Sequence, residues 1–218
     1  MMRAGAPLAA AGAAVLLAAC GSSKSSTSSG ARPADTKLAQ HILASELPIV
    51  RRSLPGATER QASASATATC SAAIAVFTHA ARARSPTFAY RHELELRTTA
   101  YVFASEGDAS KALSSYAAKP SQSCIARSTA DALRRSGYAT AGARATERAV
   151  HGIGQAGVGS EVRIPSRFRG QTVIWHLDAS AVRDGRVINV LDTLAGRSSA
   201  NYNERLAADF AKIVAEAQ

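Results

Sequence analysis

The sequence predicts an α+β domain: an antiparallel sheet with helices packed on it, and a helix at each end. Three observations lead there. The stretch beyond residue 35 opens on an amphipathic helical pattern and closes on a second, clearer one. Between them lie runs in which apolar and polar residues alternate with the period of a strand. Arg183-Asp184-Gly185-Arg186 is a tight-turn signal between two apolar-rich runs, which makes Gln171 to Val182 and Val187 to Leu194 a hairpin.

Taken in order, Thr36 to Val50 reads as a helix with Leu38, Ile42, Leu43 and Leu47 on one face and Pro48 ending it. Leu54-Pro55-Gly56 is a turn. Ala62 to Val76 is rich in Ala, Ser and Thr with poor periodicity, and is expected to end buried around Ile74, Val76 and Phe77. Ser85-Pro86 breaks the chain. From Phe88 to Leu96 apolar or aromatic residues alternate with Arg91, Glu93 and Glu95, and Tyr101 to Ala104 follows. This is one long strand with a bulge, or two strands joined near Thr98-Thr99. Glu93 and Glu95 are expected to pair with Arg91 and Arg97 along an exposed face.

Asp108 to Ala118 reads as a helix with Ala109, Ala112, Leu113 and Tyr116 inward, stopped by Lys119-Pro120. Ser128-Thr129-Ala130-Asp131 has the form of a capping box opening a second short helix, which Gly137 is placed to close. Strand signals return in Ala141 to Val150, in Val162 to Phe168, and in Val173, Trp175 and Leu177. In the last helix Leu206, Phe210, Ile213, Val214 and Ala217 repeat at offsets 4, 7, 8 and 11, with a cap near Asn201 or Asn203. Aromatic residues are only 5% of the chain, so Ala, Val, Leu and Ile must supply most of the core.

The amino terminus reads separately. Arg3 supplies a positive n-region, Leu8 to Leu17 an apolar h-region, and Leu17-Ala18-Ala19-Cys20 ends it with small residues before a cysteine. The apolar stretch is well short of the roughly 20 residues that span a bilayer. Ordinary secretion with cleavage at Ala-x-Ala is the other reading of these residues. The motif resembles the lipobox of bacterial lipoproteins. That resemblance implies that the Cys20 thiol receives diacylglycerol, that the chain is cut before it, and that the product is held on the extracytoplasmic side of the cell membrane. Residues 1–19 are then a signal peptide, 20–35 a lipidated cysteine with a Ser-rich tether, and 36–218 a single domain. A flexible tether of about 16 residues holds a domain on the order of 20 to 25 Å from the lipid.

With Cys20 committed to lipid, Cys70 and Cys124 remain, an even pair bound for an oxidising compartment, and a disulfide is the default. Closing that loop stabilises a fold by roughly 4 kcal/mol in the chain-entropy view. The net charge is +10, spread over short arginine clusters rather than one basic run. For an exported chain the counter-charges are anionic lipid head groups or wall polymers rather than nucleic acid. Scattered solvated arginines with no dedicated partner are the plainer reading.

Gly152-Ile153-Gly154-Gln155-Ala156-Gly157 fits the dinucleotide pattern G-x-G-x-x-G, but a strand follows where a helix would be needed, so no dinucleotide is expected. The five histidines are scattered singly, and His92-Glu93-Leu94-Glu95 lacks the second His of a zinc protease, so neither metal nor cofactor is expected. His176 and Asp178, with Asp192 on the partner strand, form the one polar cluster from which a wall-processing hydrolase is conceivable. There is no G-x-S-x-G, no P-loop and no Cys/His pairing, and the leading expectation is a non-enzymatic domain.

The order of elements, with Tyr101-Val102-Phe103-Ala104-Ser105, Ala109 to Tyr116, Cys124 and Glu204 to Ala215, resembles the PknH-like extracellular sensor domains of actinobacterial lipoproteins and receptor kinases. The chain departs from that family's pattern in holding one cysteine pair rather than two, and in placing Trp175 away from the second cysteine. The resemblance implies a cleft for an unidentified ligand and transfers no catalytic residue. If a ligand binds, the opening is expected between the sheet and the Asp108 to Gly137 helical segment, whose Ala109, Ala112 and Ala117 would pack loosely. Arg134, Arg135, Arg163, Arg167 and Arg169 would stand at its rim, facing an anionic amphiphile or wall polymer.

Overall fold

The computed structural model describes residues 31–61, 77–91 and 93–217. Residues 1–30 with Cys20, the Ala62 to Val76 segment with Cys70, His92 and Gln218 lie outside them, and Pro33 to Asp35, expected at the end of the tether, belong instead to the first helix, which proline opens. The described elements are α1 (Pro33–Ser53), β1 (Thr58–Arg60), β2 (Ala81–Arg84), β3 (Thr87–Tyr90), β4 (Leu94–Val102), α2 (Glu106–Ala117), α3 (Lys119–Arg135), β5 (Ala139–Thr140), β6 (Arg144–Ala149), β7 (Ala156–Phe168), β8 (Gln171–Asp184), β9 (Val187–Ala195) and α4 (Ala200–Ala217). The nine strands make one antiparallel sheet in the order β1-β3-β4-β9-β8-β7-β5. β2 lies end to end with β3 along β4, and β6 end to end with β5 along β7. The fold is therefore α+β, with a helix at each end as the sequence predicts.

Helices cover both faces. Along β9, Val187 and Leu191 face α1 and α4, while Ile188, Val190 and Leu194 face α2 and α3. Phe210 of α4 sits at the junction of the first layer, packed with Val50 of α1, with Leu54 just beyond that helix, and with Phe88, Leu96 and Leu191 from the sheet. On the second face Ala109 and Ala112 of α2 are 0% and 1% exposed. The expectation that this segment packs loosely is overturned: its alanines let the helix come close to the strands and fill the space themselves.

Other boundaries differ for identifiable reasons. α1 starts at Pro33, where proline's fixed φ suits a first turn, and it runs through Pro48 to Ser53. Val50, fully buried against Phe88 and Leu96, holds the last turn in place despite the lost hydrogen bond. Asp35 is buried too, ion-paired to Arg32 and, at 2.6 Å, to Arg186 in the β8–β9 loop. Burial works against its ionisation, but the hydrogen bonds and charges of Arg186 and Arg32 prevail and hold its carboxyl below the usual range. α3 opens at Lys119-Pro120 for the same reason as α1, so the Ser128 to Asp131 signature lies in mid-helix, where Thr129 Oγ1 donates back to the Ile125 carbonyl.

The strand expected from Phe88 to Leu96 is a hairpin. It turns at Arg91, whose φ of 50° is left-handed and whose guanidinium lies over the Tyr90 ring. Nor is the face of Glu95 and Arg97 exposed. Arg97 is 3% exposed and pairs with Asp192, and burial, only partly offset by Arg60 and Arg97, pushes Glu95 up to about 7.

Candidate functional site

Where each strand residue points decides which candidates meet. In β8 the even positions Asp178, Ser180 and Val182 face α4, and the odd positions Trp175, Leu177, Ala179 and Ala181 face α2 and α3. The β8–β9 register pairs Asp178 with Thr193 and Ala179 with Asp192. Asp192 therefore lies on the opposite face of the sheet from His176 and Asp178, against Arg97. The expected three-residue cluster is not assembled. His176 Nδ1 instead meets Glu161 at 2.7 Å across the β7–β8 pair.

Asp178 has another occupation. It is fully buried, and its Oδ2 accepts from the backbone N–H and the hydroxyl of Ser199, the residue before α4, while Asn203 of α4 donates to its backbone carbonyl. A carboxylate aimed at a helix amino terminus satisfies free N–H groups and sits favourably in the helix dipole. This cap explains why α4 starts at the level of Asp178. From there it runs toward Val187, which Val214 touches near its end.

The consequence is a bare end of the sheet. On the second face the distal β7–β8 hairpin is covered by α3, whose Ala126, Ala130 and Leu133 pack on Val162, Ile164 and Trp175. On the first face α4 has not yet begun. The residues alternating with that core are Arg163, Pro165 and Arg167 on β7, and Thr172, Ile174 and His176 on β8, all exposed except the half-buried His176. Arg144 of the neighbouring strand β6 lies directly opposite Arg163 in the register, and Pro165 opposite Ile174. Ile174, 37% exposed, is the one large apolar side chain left exposed among the described residues. Like charges directly across a sheet repel. Neither Arg144, Arg163 nor Arg167 makes a side-chain hydrogen bond or ion pair with a described residue.

Of the five arginines expected at a ligand rim, the structure brings only Arg163 and Arg167 together on this face. Arg134 and Arg135 close α3 on the opposite face. There Arg134 is held by Thr140, at 2.8 Å, and by Asp131, and both charges suit a helix carboxyl terminus. Arg169 forms the tip of the β7–β8 loop with Gly170, both at positive φ, and its guanidinium lies over the Phe168 ring. Arg144 and Ile174 were not anticipated. The opening expected between the sheet and the Asp108 to Gly137 segment is filled by the α2 and α3 cores.

The glycine-rich motif resolves as packing. Gly152 and Gly154 lie in the loop between β6 and β7 with φ of 71° and 61°, and a Cβ on Gly154 would stand 2.7 Å from Val182 Cγ1. Gly157 and Gly159 are strand residues against which Val150 packs. No helix follows, so no amino terminus is offered to a pyrophosphate. Among the described residues no three His, Cys, Asp or Glu side chains gather closely enough to hold a metal. None of the described helices is long and apolar enough to cross a membrane.

A second polar group is interior. Glu46 of α1, 0% exposed, meets Thr98 of β4 and Asn189 of β9. Burial pushes its carboxyl up to about 8, with the Thr98 and Asn189 hydrogen bonds opposing.

Neither a protein-family model nor a curated protein matches the chain. Among solved structures there is a weak likeness to the extracellular domain of PknH from Mycobacterium tuberculosis, with a TM-score of 0.30 and 10% identity. It covers 58% of this chain and 62% of that one, so the chain spans less than two thirds of the neighbour's length. A likeness this distant carries no argument about activity or ligand.

Proposed function

We propose that the protein is a membrane-anchored envelope lipoprotein whose α+β domain is a non-enzymatic sensor or ligand-binding module on the extracytoplasmic side. The observation that carries this reading is Leu17-Ala18-Ala19-Cys20 standing a short interval before a domain that begins at Pro33. The three residues offered for a competing hydrolase do not meet, because the sheet separates Asp192 from His176 and Asp178. Metabolic labelling with a fatty acid is expected to mark the wild-type chain and to leave Cys20→Ala unmarked and released from membranes. Equal labelling of the variant would refute the anchor.

Cys70 and Cys124 form a disulfide in the same reading. Cys124 sits half-buried on α3 and is not free. Intact mass before and after reduction is expected to differ by one bond, and two alkylatable thiols in unreduced exported material would refute it.

A further inference from the structure

The distal β7–β8 hairpin combines three features that solvation alone does not require. Arg144 and Arg163 face each other across adjacent strands, and Arg167 follows on the same face of β7. No described carboxylate neutralises any of the three; the nearest in the register, Glu161, is held by His176. At the centre stand Ile174 and Pro165, exposed and directly opposite one another, flanked by Arg163 and Arg167. A basic row along β6 and β7 beside a small exposed apolar pair matches the chemistry of an interface in which head groups carry phosphate and the layer beneath is apolar.

We propose that this end of the sheet is the surface by which the domain docks on the anionic phospholipid membrane that anchors it. The proposal rests on the lipoprotein reading only for its proximity to that membrane. Twelve residues separate Cys20 from Pro33; α1 starts beside Arg186, ten strand residues or roughly 33 Å from the level of Ile174, and twelve residues reach about 40 Å at full extension, so contact of this surface with the bilayer lies within the tether's limit. The guanidiniums would sit among the phosphates, lowering the repulsion between Arg144 and Arg163. Ile174 would leave water for the boundary of the acyl layer. His176 and Glu161, at the inner margin, keep the remaining carboxylate internally satisfied.

The test uses the mature chain from position 20 carrying Cys20→Ala, which removes the lipid and so separates this surface from the anchor. Co-sedimentation is measured with vesicles of phosphatidylcholine alone and of phosphatidylcholine with phosphatidylglycerol. The expected result is binding to the anionic vesicles only, falling as salt rises and the Debye length shrinks below about 10 Å. Changing Arg144, Arg163 and Arg167 together to Ser should weaken it on the order of 100-fold, the product of about fivefold per guanidinium at an anionic surface. Arg134→Ser with Arg135→Ser, on the other face, should change nothing. Unchanged urea midpoints establish that the variants fold, and the salt dependence of the unsubstituted chain needs no variant at all. Equal binding to neutral vesicles, no binding at low salt, an unaffected triple variant, or a soluble poly(glycerol phosphate) that binds while vesicles do not would each overturn the proposal. Loss of fatty-acid labelling in the intact protein would overturn the anchor and leave this measurement standing.

Discussion

Urea unfolding of the protein is expected to become easier as the pH rises from about 5 to about 8, with a slope of up to roughly 1.4 kcal/mol per pH unit from Glu46 alone. Glu46→Gln is expected to remove that component. The geometry explains why. Thr98 Oγ1 lies 2.9 Å from Glu46 Oε2 and 3.1 Å from Asn189 Oδ1, while Asn189 Nδ2 donates to Glu46 Oε1. One hydroxyl proton cannot serve both of the first two contacts. An ionised Glu46 can accept from Thr98 and Asn189, which opposes the effect of burial but leaves the Thr98–Asn189 contact without a proton. A protonated Glu46 closes the ring: it donates to Thr98, Thr98 donates to Asn189, and Asn189 donates back. With the amide turned over, the count again closes only when Glu46 carries its proton. The influences on Glu46 are burial, Thr98 and Asn189, with no charged group among them.

The sign follows from the raised folded value. The native state keeps the proton between the ordinary 4.5 and about 8, whereas the unfolded state has lost it, so stability from this group is full below 4.5 and lost as the pH climbs through 8. Asp35 works the other way, its depressed value giving stability that disappears on acidification. Comparing urea midpoints of wild type and Glu46→Gln at several pH values isolates the ring. Parallel pH profiles for the two proteins would show that Glu46 is ionised in the fold.

Phe210→Ala is expected to cost about 3–5 kcal/mol, the range for emptying a core aromatic site that cannot collapse. Phe210 is 1% exposed and touches the layer where α1, α4 and three strands meet, so its loss opens a hole bounded by elements that restrain one another. Chemical denaturation measures the difference, with Ile174→Ala as an exposed control expected to stay within about 0.5 kcal/mol of wild type. A cost below about 1 kcal/mol for Phe210→Ala would mean that α4 is not docked as described.

Long periodic elements are legible in the sequence. α4 shows its stripe of Leu206, Phe210, Ile213 and Val214, and the β8–β9 hairpin shows its Asp-Gly turn. Elements whose boundary rests on one backbone angle are not. Alternation is interrupted only by the polar run Arg91-His92-Glu93, which marks a turn without showing that Arg91 is its left-handed residue. The separation of Asp192 from Asp178 is different, because it was readable. A two-residue loop pairs even positions with odd ones, so Asp178 must face an odd residue of β9, here Thr193. Arg163 and Arg167 can likewise be placed on one face by counting. Arg144 cannot, since its alignment depends on the length of the β6–β7 loop and on where Gly152 and Gly154 bend it.

The sheet's two lateral boundaries bear on how this protein behaves at high density. Among the described residues, one side ends on β1, three residues long with Glu59 and Arg60, with the four-residue β2 in the lane within it along β4; at the other, the outermost lane is split into β5 and β6, and β6 carries Arg144, Glu147 and Arg148. Short, interrupted and charged borders give a neighbouring copy little continuous backbone to pair with. For molecules confined to a two-dimensional layer, where encounters are frequent and orientations are shared, such borders disfavour the growth of strand-paired aggregates and favour dispersal as individual domains.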